Sequence, residues 1–333
     1  MTKSDLSQLF DSFNEMHILV IGDVMIDSYL WGKVNRISPE APVPIISTTG
    51  RENRLGGAAN VALNIQSLGA TPILCSIVGN DEAGDIFKQL LTDNHLPSEG
   101  IVASTKRKTT VKTRIISQNQ HLLRVDEEES HPVESAMEEK LKNHFISLLD
   151  NYKIDAIIFE DYDKGAITPG IIQHAVEQAN EKGIPTLVDP KKRNFMDYSG
   201  VTFFKPNFKE FKEGLKLELT SANQDELLEA AEEFQASQKT DILMVTMAEK
   251  GVFIRNGASH HFIPAEIRDI ADVSGAGDTV ISVSALCLAA GLPPQHVARI
   301  ANMAGGLVCE HPGVVPINKK VLLKECQSKV AYS

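Results

Sequence analysis

Ile18–Ile21 is an unbroken apolar run that stops at Gly22, the pattern of a strand buried on both faces. Ala58, Val61, Ala62, Ile65 and Leu68 then recur at helical spacing until Gly69 ends the helix. The same alternation continues along the chain. Pro72–Val78 reads as a strand, Asp81–Asn94 as a helix, Ala156–Phe159 as a strand and Pro169–Lys182 as a helix. Thr186–Val188 and Val201–Phe204 read as strands, Asp225–Gln238 as a helix and Ile242–Val245 as a strand. Thr279–Ala290 is an apolar stretch closed by Gly291 and reads as a buried helix. Buried strands alternating with amphipathic helices predict a parallel sheet with helices on both faces.

Two stretches break this rhythm. Ser28–Arg54 holds three prolines and alternating residues such as Val43 and Ile45, and Thr109–Asp126 alternates polar and apolar residues. Both read as antiparallel strands rather than βα units. Their shared character predicts one small sheet, over about residues 28–54 and 105–126, that covers a cleft as a lid.

Composition narrows the class. The 333 residues are 42% hydrophobic and 23% charged, enough to bury a core without staples. No apolar run approaches the roughly 20 residues of a membrane span, and the polar N-terminus is not a secretory signal. Cys75, Cys287, Cys309 and Cys326 are far apart, which suits buried or idle thiols in a reducing cytoplasm. A net charge of −11 argues against nucleic acid or an anionic membrane as partner.

The candidate chemistry lies at strand ends, the edge of an open α/β sheet that binds ligands. Asp272-Val273-Ser274-Gly275-Ala276-Gly277-Asp278 runs into the buried helix, so bare backbone N–H groups form an anion site at its N-terminus. Asp278 reads there either as a helix cap or as a base that takes a proton from a hydroxyl attacking a phosphoryl group. Asp23 and Asp27 follow the first strand as acceptors for sugar hydroxyls or as solvated turn acids. Gly56 and Gly57 allow close backbone approach, and Asn60 opens the following helix with an amide that needs partners. Asn207 and Glu210, three apart at a helix start, suit Mg²⁺ waters and phosphate, and equally a capping box. Glu160–Gly165 and Asp189–Arg193 end two further strands and bring basic residues for a phosphorylated substrate, to which Arg36, Arg114 and Arg124 of the lid add. No GxxxxGK[ST] or early GxGxxG is present, which excludes a P-loop enzyme and disfavours a dinucleotide dehydrogenase.

Together these clusters resemble the ribokinase-like, phosphofructokinase-B type carbohydrate kinases from about His17 to Ile317. One signature is Gly56-Gly57-Ala58-Ala59-Asn60-Val61-Ala62, a second is Asp272 to Thr279, and a third is Asn207…Glu210. Asp23 to Tyr29, Arg36 to Pro44, Asp161 to Gly165 and Ser117-Gln118-Asn119-Gln120 are similar to the D-glycero-D-manno-heptose 7-phosphate kinases. Those enzymes serve ADP-heptose synthesis for lipopolysaccharide and are often fused to an adenylyltransferase. The end of this chain near residue 333 sets the expectation of a separate adenylyltransferase downstream.

The resemblance implies a mainly parallel central sheet with helices on both faces and a small β-sheet lid. It implies an N-terminal extension over 1–16, a kinase domain over 17–320 and a tail over 321–333. By it, Asp278 is the base and the amides of Gly275, Ala276 and Gly277 form the anion hole. Asp27, Gly56, Gly57 and Asn60 hold the sugar, joined by Asp23, while Arg36, Lys164 and Lys191 meet the phosphate it already carries. Asn207 and Glu210 serve ATP phosphates and Mg²⁺, Glu210 through water. Thr246 and Gly251 line the nucleotide, and Asn302 lies near adenine. K⁺ is a candidate monovalent cofactor, although Cys309–Pro316 departs from the usual tail, and Ser274 stands where a Thr is usual. A homodimer through the lid is expected. Two alternatives stay open: a ribokinase-like kinase of another sugar, sugar phosphate or nucleoside, and a non-catalytic regulator that binds sugar phosphate or ATP.

Overall fold

The computed structural model describes residues 1–118, 120–220 and 223–329. Asn119, and residues 330–333 of the expected tail, lie outside the described residues. The chain opens with α1 (Lys3–Ser12), started by a capping box between Thr2 and Asp5, and enters β1 (His17–Gly22). The long strands β2 (Val24–Ile37) and β3 (Pro44–Gly57) lead into α2 (Ala58–Ser67). Next come β4 (Thr71–Gly79), α3 (Glu82–Asp93) with Asp81 as cap, and β5 (Ile101–Ser104). The strands β6 (Val111–Ser117) and β7 (Gln120–Glu127) precede α4 (Ser135–Asn151) and β8 (Ala156–Glu160). Thr168 caps α5 (Pro169–Lys182), whose Pro169 sits at the first turn, where its missing N–H costs nothing. The chain continues through β9 (Thr186–Asp189), β10 (Phe203–Phe204), α6 (Phe208–Leu215) and α7 (Gln224–Gln238). It closes with β11 (Ile242–Thr246), β12 (Val252–Asn256), β13 (Ser259–Ile263), α8 (Ala276–Ala289), α9 (Pro294–Cys309) and α10 (Lys319–Lys329).

Among the described residues, nine strands form the central sheet in the order β13-β12-β11-β10-β9-β8-β1-β4-β5. It is parallel from β11 to β5, and β12 and β13 extend it antiparallel. Alternate residues of each strand feed two cores. Ile18, Val20 and Ile158 pack with α1, α2, α8, α9 and α10, whereas Leu19, Ile21 and Phe159 pack with α4, α5 and α7. A second sheet, β3-β2-β6-β7, stands apart as the lid.

The lid corrects one expectation. β3 with β2 and β6 with β7 are antiparallel, but the central pair β2–β6 is parallel, because β4, α3 and β5 carry the chain back before β6 begins. β2 and β3 also reach beyond the 28–54 stretch at both ends, to Val24 and Gly57. At the termini, α1 packs on α10, and Leu6, Phe10 and Phe13 are fully buried. Of Val201–Phe204, only Phe203 and Phe204 join the ladder. All four cysteines are free and buried.

Candidate active site

The strands β1, β8 and β9 end in register, with Gly22 beside Glu160 and Glu160 beside Asp189. Lys205 follows β10 at the same edge. α8 packs across β8 and β9, and α2 packs on α8. Two helix starts therefore meet over one sheet edge, and Asp278 from α8 faces Asn60 from α2. Gly57 precedes α2 with φ +60°, and a Cβ there would overlap the carbonyl oxygen of Asp23. Gly275, at φ +77°, caps α8 without a side chain, so the first N–H groups of α8 carry no side-chain cap.

Asp278 is 7% exposed. Asn60 Nδ2 donates to its Oδ2 at 2.6 Å, and the Tyr162 hydroxyl donates to its Oδ1 at 2.9 Å. Burial lifts its pKa above the usual carboxylate range, while the Asn60 and Tyr162 bonds oppose that rise. The side chain is thus an oriented acceptor rather than a cap, since α8 shows no side-chain cap hydrogen bond. A Cβ on Gly277 would lie 3.4 Å from Asp189 Oδ2 and 3.7 Å from Lys205 Nζ, so the amide end of α8 faces that pair.

Lys205 and Asp189 are joined at 2.7 Å, their side chains 3% and 6% exposed. Lys191 bridges Asp189 at 3.6 Å and Glu210 at 2.6 Å. Burial works against the Asp189 carboxylate, yet Lys205 and Lys191 outweigh it and hold its pKa below the ordinary value. Glu160 is pushed well up by burial and by the nearby charges of Asp189 and Asp278. Carboxylate oxygens of Glu160, Asp189 and Asp278 lie within 4.8 Å of one another, and Glu160 Oε2 is buried without a hydrogen-bond partner among the described residues. Hard oxygens clustered beside amides and ammonium groups fit a divalent cation such as Mg²⁺. Glu160 and Asp189, with Asp278 beside them, are the carboxylates of this cluster that would hold it.

Asn207 and Glu210 form the capping box that starts α6: Glu210 N–H donates to Asn207 Oδ1 at 2.9 Å, and Asn207 N–H to Glu210 Oε2 at 2.8 Å. Asn207 bridges to Thr246 in parallel pairing, which brings these two residues together. Gly251 closes the turn after β11, accepting from Met247 N–H at 2.7 Å. Asn302 donates to the Pro264 carbonyl at 2.9 Å and lines a cavity of about 550 Å³ with His260, Arg299 and Met303.

Three expectations change. Asp23 does not present its oxygens to a ligand: they accept N–H groups from Tyr162, Lys164 and Ala166, each at 2.9 Å. Its role is to shape the loop after β8. Lys191 belongs to the Asp189–Glu210 cluster and is not grouped with Lys164, which pairs instead with Glu128 at 2.9 Å. Arg36 is exposed at the distal end of β2, five residues beyond Trp31, and joins neither group. Asp27, 7% exposed, is held by Arg114 Nη1 at 2.5 Å and abuts Gly56.

Sequence reasoning passed over Tyr162, Lys205, Glu160 and Asp189 as individual groups. The signal was present: Glu160 and Asp189 end apolar strands, Lys205 follows one directly and Tyr162 lies two residues past the end of β8, where an ionisable side chain is buried beside its neighbours.

The sequence model described as "pfkB family carbohydrate kinase" matches residues 16–320. The bifunctional protein HldE of Geotalea uraniireducens (strain Rf4) is 36% identical over 327 residues, which cover 98% of this chain and 66% of that protein. The protein of the same name from Methylobacillus flagellatus is 39% identical over 314 residues, covering 94% and 63%. The chain thus spans about two thirds of the length of these curated relatives. Among solved structures, phosphofructokinase-2 from Escherichia coli in complex with potassium superposes with a TM-score of 0.77 at 18% identity, over 95% of this chain and 99% of that one. Arabidopsis thaliana ribokinase complexed with ribose and ATP gives 0.71 at 15% identity, over 93% and 99%. The fold is ribokinase-like.

Proposed function

The chain belongs to the pfkB family of carbohydrate kinases, and from that premise we propose that it phosphorylates D-glycero-D-manno-heptose 7-phosphate at the anomeric hydroxyl. It is an ATP-dependent phosphotransferase with a sugar hydroxyl as acceptor. The similarity to the HldE proteins supports the heptose phosphate as substrate, and the 1,7-bisphosphate product would pass to an adenylyltransferase in ADP-heptose synthesis.

One observation carries the catalytic part: a buried carboxylate, Asp278, held by Asn60 and Tyr162 at the amide end of α8 beside Lys205. Asp278 orients the acceptor hydroxyl and takes its proton as the bond to the γ-phosphorus forms, late in a loose transition state. The amides of Gly275, Ala276 and Gly277, with Lys205, face the negative charge that builds on the transferred group. Asp27 and the backbone at Gly56 and Gly57 hold the sugar, and Lys164 serves its existing phosphate. Thr246, Gly251 and Asn302 take the nucleotide. Glu160 and Asp189 of the carboxylate cluster, with Glu210 through water, would hold Mg²⁺, which would neutralise charge on the ATP phosphates. Both Asp272 oxygens accept backbone N–H groups, from Ser274 at 2.9 Å and Gly313 at 3.0 Å, so no step is assigned to K⁺ at that junction. The lid face opposite Asp27 exposes Leu123 and Val125, which supports a homodimer through the lid.

A coupled ADP assay across heptose 7-phosphate, fructose phosphates, ribose and adenosine tests the substrate. The heptose phosphate should give the highest kcat/KM, and a preference for ribose or adenosine overturns this reading. Asp278→Asn should lower kcat at least ~10²-fold. Near-normal turnover in that variant removes Asp278 as the base.

A further inference from the structure

Lys112 of β6 and Lys164 of the loop after β8 come from different parts of the fold, one from the lid and one from the body. A single carboxylate joins them. Glu128 Oε2 lies 2.7 Å from Lys112 Nζ, and its Oε1 lies 2.9 Å from Lys164 Nζ. The three side chains are 14%, 17% and 26% exposed, shielded but open to a ligand. Two ammonium groups, each on a different oxygen of one anion, form the arrangement that a phosphate would satisfy better, because it brings up to two charges and three acceptor oxygens.

The pair is also built in. The Lys164 N–H donates to Asp23 at 2.9 Å, and its carbonyl accepts from Arg107 Nη2. Arg107 Nη1 is buried without a hydrogen-bond partner among the described residues, a cationic donor in want of an acceptor next to Lys164. Lys112 pairs in register with Asp27, so both extend from the same face of the lid. A sugar bound by Asp27 would therefore reach Lys112 along the lid. Lys112 also keeps Asp126 at 3.0 Å, so it stays positioned when Glu128 leaves.

We propose that Lys112 and Lys164, backed by Arg107, are the receptor for the phosphate that the acceptor sugar already carries, and that Glu128 is an internal stand-in which this phosphate displaces. Glu128 lies in the connection between β7 and α4, so the exchange makes lid position answer to the acceptor's phosphate. The inference rests on the reading of the acceptor as a phosphorylated sugar. It adds Lys112, Arg107 and Glu128 as specificity-determining residues.

The test measures steady-state kinetics with heptose 7-phosphate, and inorganic phosphate as a competitive inhibitor against it. Lys112→Ala and Lys164→Ala should each raise KM about 10-fold or more and leave kcat within about threefold, with Lys164→Arg restoring much of the loss. Glu128→Gln should do the opposite, lowering KM and strengthening inhibition by inorganic phosphate. That sign separates a displaced anion from a merely structural latch, whose loss would weaken binding in all three variants. Thermal unfolding confirms that each variant is folded, and Glu128→Gln keeps the side-chain volume should an alanine variant fail. A rise in KM for Glu128→Gln, or unchanged KM in both lysine variants, overturns the inference while a wild-type requirement for a phosphorylated acceptor stands. A wild-type preference for unphosphorylated acceptors overturns the substrate reading and this inference together.

Discussion

Tyr162→Phe removes one hydroxyl and leaves in place the ring over which Lys191 Nζ sits, 5.5 Å from the centroid. That hydroxyl donates to Asp278 Oδ1 at 2.9 Å, and Asn60 Nδ2 holds the other oxygen at 2.6 Å. Both bonds favour the ionised carboxylate, whereas burial favours the neutral acid and lifts its pKa. A hydrogen bond to a charged group is worth about 1.5–3 kcal/mol, so losing it from the ionised form should raise the Asp278 pKa further. A base must be ionised to accept the proton, so the acidic limb of kcat against pH should move upward. The alkaline plateau should persist, because Asn60 still orients the carboxylate. The assay is coupled ADP formation at saturating substrates from about pH 5 to 9. An unmoved acidic limb refutes the reasoning. A uniform loss at every pH does so too, since it would make Tyr162 a packing residue only.

Asp161 takes hydrogen bonds from Asn194, Tyr198 and Asp163, yet burial lifts its pKa from 3.8 to about 6. A raised folded-state pKa means that its contribution to stability is full below about pH 4 and lost as pH rises through about 6, a swing of roughly 3 kcal/mol. Urea unfolding of wild type and Asp161→Asn from acid to neutral pH should show the variant gaining on wild type by that amount, and a pH-independent difference would sink the assignment. Leu123 and Val125 are 59% and 42% exposed on the lid's outer face. Sedimentation velocity should give a two-chain mass that Leu123→Lys reduces to one, and a wild-type monomer at every concentration would refute assembly through the lid.

The central sheet was legible because its strands are short apolar runs and its helices have clear ends. Pro169–Lys182 is found as expected, since Thr168, Pro169 and Gly183 mark both boundaries chemically. The lid's existence was legible in its alternation, but its parallel β2–β6 pairing was not, because alternation specifies which face a residue takes and not which strand lies beside it. β12 and β13 were missed because His260 and His261 blur the period in an edge hairpin. In the site, Asp278 and Asn60 stood out as polar groups at apolar helix starts. The sequence groups Lys191 with Lys164 because both follow strands, and only the fold reveals that β9 brings Lys191 to Glu210 while the lid connection brings Glu128 to Lys164.

The charge balance at the strand ends constrains what can enter. The carboxyl groups of Asp189, Asp278 and Glu210 crowd the same edge as Lys191 and Lys205, and burial with its acidic neighbours favours the protonated form of Glu160. Burying the Lys205–Asp189 pair costs desolvation that its attraction only partly offsets, so folding stability is a weak reason for its presence. A polyanion such as ATP would bring further negative charge beside these carboxyl groups. Lys205 and the α8 amides answer part of that charge, at the transferred group. A divalent cation bound with the nucleotide would offset the remainder, and the unpartnered Glu160 oxygen is placed to help hold it. Under the proposed reading these carboxyl groups would favour metal-bound over free nucleotide, beside the place where Asp278 would meet the hydroxyl.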